Sequence, residues 1–124
     1  MTAISHYMTE QPWALQIDDS VAVARQMFAE RQIHHLPVLD GRELVGMVVA
    51  RDLALAAHRL ETVEKVMTAA HAVHADTSLE HVLDEMRQHG RDAVVIVDDQ
   101  KVLGIFTAMD AVRVLHDIVR RLAA

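Results

Sequence analysis

Two side chains able to hold a polar ligand lie three residues apart near the C-terminus, the hydroxyl of Thr107 and the carboxylate of Asp110. They follow Gly104, where the missing side chain lets the backbone approach closely. An ionised carboxylate accepts hydrogen bonds from two neighbouring hydroxyls at once, which suits a vicinal diol. Because the same two side chains also make an ordinary helix cap, the spacing alone favours a helix start over a binding corner.

Other arrangements that could support catalysis are weak. The chain has no cysteine, which excludes disulfides and thiolate chemistry. Ser5 is merely adjacent to His6 near the terminus, while Ser20 and Ser78 occupy predicted helix starts, so no nucleophile has a base beside it. We therefore expect no catalytic residues and no enzyme activity.

The nine histidines invite a metal hypothesis. A metal-binding helix commonly carries two histidines four residues apart, with a carboxylate in register. The close histidine pairs here do not show that pattern: His34 with His35, His71 with His74, and His74 with His81. We expect surface or capping histidines and no metal.

Composition narrows the class of protein. A chain of 124 residues that is 52% hydrophobic can close one domain core. A net charge of −6 argues against nucleic acid as the main partner, because phosphate neutralisation needs a basic surface. No apolar run reaches about 18 residues and no secretory signal pattern is present. We expect a cytoplasmic protein that makes no use of a membrane.

The sequence contains an internal repeat. Leu36–Asp40 and Leu44–Asp52 recur as Val94–Asp98 and Val102–Asp110, at a constant offset of 58 residues. Such internal similarity indicates two copies of one structural unit. We place the first repeat at 1–60 and the second at 61–124, together forming one globular module.

Each repeat predicts the same order of elements. A short extended stretch comes first, at 14–17 and 72–75, followed by an amphipathic helix whose N-caps we expect at Asp19 and Thr77. Two apolar runs rich in β-branched residues predict a hairpin, and a second helix closes the repeat at 51–60 and 109–122. The predicted fold is α/β (α+β): two βαββα repeats packed through their sheets about a pseudo-twofold axis.

In this order the sequence resembles a known family. Val66-Met67-Thr68, the capped helix, Leu36-Pro37-Val38-Leu39-Asp40 and Leu44-Val45-Gly46 followed by Asp52 and Leu53 are similar to the cystathionine β-synthase (CBS) domain, here as the tandem pair called a Bateman module. The resemblance covers essentially the full length. It implies a stand-alone, non-catalytic regulatory module that binds AMP, ADP, ATP or S-adenosylmethionine as regulatory ligand, uses no cofactor, and signals through a homodimer or a regulated protein partner.

The resemblance also implies where the ligand binds. The family signature of a glycine, a hydroxyl and an acid is intact in the second repeat as Gly104, Thr107 and Asp110, which would hold the ribose diol. The first repeat keeps Asp52 but has Val49 at the hydroxyl position, which removes a hydrogen bond worth about 1 kcal/mol. We predict one good site in the second repeat and a weakened or empty one in the first.

The remaining site residues are also carried by the resemblance. For adenine, the family pattern points to backbone and apolar groups at two places in the second repeat. Arg91 is the preferred phosphate contact, with His34, His35 and Arg51 as further candidates across the pseudo-twofold axis. The adenine candidates are Thr68, Ala72, Val73, Ala93 and Val94, beside Arg91.

The last predicted helix offers a broad apolar face, and part of it is a candidate dimer interface. This keeps a second function open. The same fold could have lost its ligand and act as a nucleotide-independent dimerisation or interaction scaffold, which Val49 favours. Ligand titration would distinguish the two.

Overall fold

The computed structural model describes residues 2–10, 13–53 and 61–124. They form two compact units, which we call the central unit (Trp13–Ala70) and the terminal unit (Met1–Pro12 with His71–Ala124). Each has its own sheet, helices and buried core, which confirms the mixed α/β fold class expected from the repeats.

The central unit contains a three-stranded sheet in the order β2-β3-β4. Its main elements, in chain order, are β2 (Leu15–Gln16), α1 (Val21–Arg31), β3 (His35–Asp40), β4 (Glu43–Val49) and α2 (Ala50–Leu53). Strand β2 runs parallel to β3, and β3 runs antiparallel to β4. The rest of the second helix predicted at 51–60 lies outside the described residues.

The terminal unit contains a four-stranded sheet in the order β1-β7-β6-β5. Its elements are β1 (Thr9–Glu10), β5 (Ala72–His74), α3 (Leu79–His89), β6 (Ala93–Asp98), β7 (Lys101–Thr107) and α4 (Ala108–Ala123). Strand β1 pairs antiparallel with β7, so the start of the chain forms the edge of a sheet whose other strands come from the second repeat. The core includes Ile4 and Phe106, both fully buried.

The compact units therefore do not coincide with the consecutive repeats 1–60 and 61–124. A short 3₁₀ turn, Ile4–His6, docks on the second repeat, where Ile4 N donates to Thr77 O over 2.6 Å. The matching turn, Val63–Lys65, docks on the first repeat, where Val63 N donates to Asp19 O over 2.8 Å. Each repeat thus gives its leading segment to the sheet and core of the other. A free strand edge there pairs with the backbone of the segment, and an apolar pocket buries its side chains.

Two predicted helix caps were wrong by one residue. The N-caps are Ser20, which accepts from Val23 N, and Ser78, which accepts from His81 N. Asp19 instead accepts from Gln16 N over 2.8 Å in the preceding turn. A hydroxyl one residue later in the chain satisfies the amide of the third helical residue, which is the usual geometry of a serine cap.

Candidate functional site

The junction between β7 and α4 is built by a reciprocal cap. Thr107 is the last residue of β7 and the N-cap of α4, and its Oγ1 accepts from Asp110 N over 3.2 Å. In return, Thr107 N donates to Asp110 Oδ2 over 2.9 Å. This capping box satisfies orphan amides at the helix start and fixes both side chains at the carboxyl end of the strand.

The Asp110 carboxylate is buried, at 5% exposure, and all its described contacts come from donors. Oδ2 accepts from the amide and also from the hydroxyl of Thr107, the latter over 3.2 Å. Oδ1 accepts from the Thr9 hydroxyl over 2.9 Å and lies 2.9 Å from an Arg113 guanidinium nitrogen. A buried carboxylate with this many donors is fixed in place.

The two oxygens differ in what they could release. The Oδ2 partners belong to the cap, so losing them would open the first turn of α4. The Oδ1 partners belong to an exposed strand residue, Thr9, and to Arg113, whose side chain is 54% exposed. Long exposed side chains exchange partners at little cost. Oδ1 is therefore the carboxylate oxygen that could accept hydrogen bonds from the two hydroxyls of a diol in place of its present donors.

Gly104 allows two strands of the protein's own backbone to pass close together. It pairs with Glu10 across the β1–β7 ladder, and a Cβ built at this position would collide with the carbonyl oxygen of Thr9. The missing side chain is therefore required by the close passage of β1 over β7. Its effect on the site is indirect, because the same passage brings the Thr9 hydroxyl to Asp110.

The first repeat has a corresponding strand-to-helix junction, between β4 and α2, but different side chains lie there. Asp52 is exposed in the first turn of α2, and its carboxylate has no hydrogen-bond partner within 13–53 or the other described ranges. Val49, at the end of β4, cannot cap the helix. A Cβ on Gly46 would lie 2.5 Å from Met67 Sδ, so the segment Met67-Thr68 passes over β4 as β1 passes over β7.

The adenine candidates separate into two groups. Ala93 lies directly beside Thr107 in the β6–β7 ladder, and Ala72 and Val73 lie on the neighbouring strand β5. Val94 is 1% exposed and belongs to the core, so it could meet a ligand only through its backbone. These residues share the terminal unit with Asp110.

The other candidates are placed differently. Thr68 belongs to the central unit, where its amide donates to Met47 O over 2.8 Å. His34, His35 and Arg51 also belong to that unit. Arg91 is in the terminal unit, 3.5 Å from a Glu85 carboxylate oxygen on α3, so its charge is partly neutralised locally.

Sequence reasoning missed two residues that contact Asp110, Thr9 and Arg113. A signal for Thr9 was present, since Tyr7-Met8-Thr9 matches Val66-Met67-Thr68 in the repeat. The family pattern pointed to Thr68 instead. Only the exchange of leading segments shows that Thr9 is its counterpart at the Asp110 corner.

Across the described ranges, no helix has both the length and the apolar character needed to cross a bilayer. In the same part of the chain, no three His, Cys, Asp or Glu side chains form a group suited to hold a metal ion.

Comparison with known proteins identifies relatives along most of the chain. An uncharacterized protein of Methanocaldococcus jannaschii is 34% identical over 111 residues, covering 86% of this chain but 26% of its own length. Inosine-5′-monophosphate dehydrogenase of Nitrosopumilus maritimus is 31% identical over 106 residues, covering 83% of this chain and 22% of its own. The chain therefore spans about a quarter of the length of these curated relatives.

A solved structure matches over nearly the full length of both chains. The CBS domain pair of protein MJ0100, solved in complex with 5′-methylthioadenosine and S-adenosyl-L-methionine, is 28% identical with a TM-score of 0.83. The match covers 94% of this chain and 98% of that one. The model of the CBS domain matches this chain twice, at residues 4–59 and 63–117. Repeat, fold and match agree that the chain belongs to the CBS domain family, as a tandem pair.

Proposed function

We propose that this CBS pair is a regulatory module that binds an adenosine-type ligand at the β7–α4 corner of the terminal unit and signals through a homodimer or a protein partner. The ligand class is AMP, ADP, ATP or S-adenosylmethionine. The proposal assigns the chain no reaction and no cofactor. Because such ligands are metabolites of the cell interior, it also places the module in the cytoplasm.

The observation that carries the proposal is the state of the Asp110 carboxylate. It is buried, fixed by the cap on Oδ2, and contacted on Oδ1 by two donors that can be exchanged. A ribose offers two neighbouring hydroxyls that can replace these donors without leaving the carboxylate unpaired. A preorganised acceptor of this kind loses little conformational freedom on binding.

The neighbouring groups support a nucleoside. Ala93 and the strand β5 give small and apolar surface beside the cap, where a flat base could lie. The relative solved with two adenosine-containing ligands is similar over nearly its whole length, which supports the same ligand class here. The phosphate or other substituent is the part of the ligand that these residues define least.

The signalling half of the proposal rests on α4. Several large apolar side chains of this helix are exposed, among them Val112 at 56%, Leu115 at 59% and Val119 at 52%. They follow a helical period and so form one stripe. An apolar stripe of this size favours contact with a second copy of the chain.

A titration tests the proposal. Adenosine, AMP, ATP and S-adenosylmethionine are each titrated calorimetrically into the wild-type protein, Asp110→Asn and Asp52→Asn. Hydrogen bonds to a charged group contribute about 1.5–3 kcal/mol, so Asp110→Asn should weaken the preferred ligand by about tenfold to a hundredfold. Asp52→Asn removes the same charge from the first repeat and should change affinity by less than about threefold.

The alternative function is a nucleotide-independent scaffold. One observation favours it: every described contact of Asp110 is already made within the protein, and Thr107 acts as an ordinary cap. If none of the four ligands binds more tightly than about 1 mM, the scaffold replaces the sensor. If a ligand binds but Asp110→Asn leaves its affinity unchanged, the position of the site is wrong.

A further inference from the structure

The terminal unit contains a cavity of about 310 Å³ whose lining shares only Arg113 with the nucleotide proposal. It lies between α4 and the residues that end the N-terminal 3₁₀ turn. His6, Tyr7 and Met8 line one side, and α4 lines the other. A cavity of this size is at the lower end of the range for small-molecule sites, about 300–1,000 Å³.

The floor of the cavity is apolar. Tyr7, Met8 and Val114 line it and also pack against the buried core of the terminal unit. Ile118 continues the same surface one helical turn further along α4 and is 45% exposed. An apolar body placed here would cover side chains that are only partly removed from water, which is favourable in proportion to the area covered.

Two arginines and one aspartate form the rim of the cavity. Arg113 and Arg121 lie two turns apart on α4, about 12 Å along its axis. Arg113 is oriented by the Asp110 carboxylate and donates to Tyr7 O over 3.2 Å. Arg121 has no hydrogen-bond or ion-pair partner within residues 2–10, 13–53 and 61–124. Between them, Asp117 lies 3.3 Å from His116 Nδ1.

We propose that this cavity is a second binding site, for a small organic anion with an apolar body and one carboxylate or phosphate group. The body would cover Tyr7, Met8 and Ile118, and the anion would engage the guanidinium of Arg121. Guanidinium groups bind such anions through paired hydrogen bonds. This inference does not depend on nucleotide binding at Asp110.

The site is also separate from the apolar stripe of α4. With 3.6 residues per turn, Arg113, Asp117 and Arg121 fall on one side of the helix, and Val112 and Val119 fall on the other. A second copy of the chain covering Val112 and Val119 would therefore lie opposite the three charged residues of the cavity rim.

Phenyl phosphate is the probe that tests the site. Its binding is monitored through the amide chemical shifts of the isotope-labelled full chain. It should shift the amides of Tyr7, Met8 and Ile118. Benzyl alcohol and inorganic phosphate each lack one half of the proposed ligand, and both should bind at least about fivefold more weakly. Equal binding of inorganic phosphate would mean an adventitious ion only and would overturn the proposal.

A matched pair of variants locates the anion contact. Arg121→Gln should weaken phenyl phosphate by about fivefold or more, whereas Arg120→Gln should change it by less than about twofold. Both remove one exposed positive charge from the last turns of α4, but only Arg121 lines the cavity. If the two variants behave alike, or if phenyl phosphate leaves Tyr7 and Met8 unshifted, the inference is wrong.

Discussion

The substitution Thr107→Val isolates the cap that the proposed site is built on. It keeps a β-branched side chain at the end of β7 and gives the second repeat the residue type that the first has at Val49. It removes the hydroxyl that accepts from Asp110 N and donates to Asp110 Oδ2, both over 3.2 Å. The Thr107 amide and the Thr9 hydroxyl still contact the carboxylate.

The expected cost follows from those two contacts. Losing a threonine N-cap costs about 1 kcal/mol. The second contact, from a hydroxyl to a charged oxygen, adds up to about 1 kcal/mol because the buried carboxylate keeps its other donors. We expect Thr107→Val to lower the free energy of unfolding by about 1–2 kcal/mol, or the Tm by roughly 4–8 °C.

Urea unfolding followed by far-ultraviolet circular dichroism measures the change. Thr77→Val is the matched control, because it makes the same substitution just before a helix whose N-cap is Ser78. Within the described ranges the Thr77 side chain makes no hydrogen bond, so its loss should cost less than about 0.5 kcal/mol. If Thr107→Val is as mild as Thr77→Val, the cap does not have the strength argued here.

Three further predictions concern other parts of the chain. Gly104→Ala should destabilise the protein by about 2–3 kcal/mol in urea unfolding, and by more than Gly46→Ala does. The new Cβ at position 104 meets a backbone carbonyl, whereas the one at position 46 first meets a flexible thioether. A larger loss for Gly46→Ala would contradict this. Arg87 donates to Asp84 over 2.8 Å and lowers the pKa of Asp84 below its ordinary value of 3.8. The contact stabilises the fold at pH values above the ordinary pKa, and this stabilisation is lost as the pH falls through the lowered pKa. Arg87→Gln should therefore raise the pKa of Asp84 in a carboxyl NMR titration, and an unchanged pKa would refute the assignment. Leu115→Glu should convert the proposed dimer to monomer in sedimentation velocity, since it buries a charge in the apolar stripe; an unchanged mass would remove α4 from the interface.

Much of the fold follows from local sequence signals. The apolar, β-branched runs at 94–97 and 102–106 become β6 and β7, and the repeat offset predicts the same hairpin as β3 and β4. Three consecutive residues in each of these strands are buried, so their continuous apolar character is a strong signal. The helix caps were predicted one residue early because Asp19 and Thr77 are themselves good capping residues followed by another, and local preference does not choose between neighbours.

The exchange of leading segments could not be read from local preference. Thr9 and Asp110 are 101 residues apart, and the pairing of β1 with β7 depends on which free strand edge the terminus reaches. Two repeats of similar sequence offer two similar edges, so the pattern of apolar residues fits either choice. The repeats themselves are consecutive in sequence, with family matches at residues 4–59 and 63–117.

The candidate site was predicted in part for the same reason. Thr107 and Asp110 act together because three residues separate them at a helix start, which is a local relationship. Their third and fourth partners, Thr9 and Arg113, depend on the edge pairing and on side-chain reach. Thr68 was a reasonable choice by motif, and the structure places it beside Met47 in the central unit.

The most direct test of a carboxylate that holds a sugar diol is to remove the diol. Calorimetric titration of wild-type protein with adenosine and with 2′,3′-dideoxyadenosine compares ligands that differ only in those hydroxyls. We expect the dideoxy compound to bind at least about tenfold more weakly, and Asp110→Asn to erase most of that difference. Equal affinities for the two nucleosides would contradict the central claim.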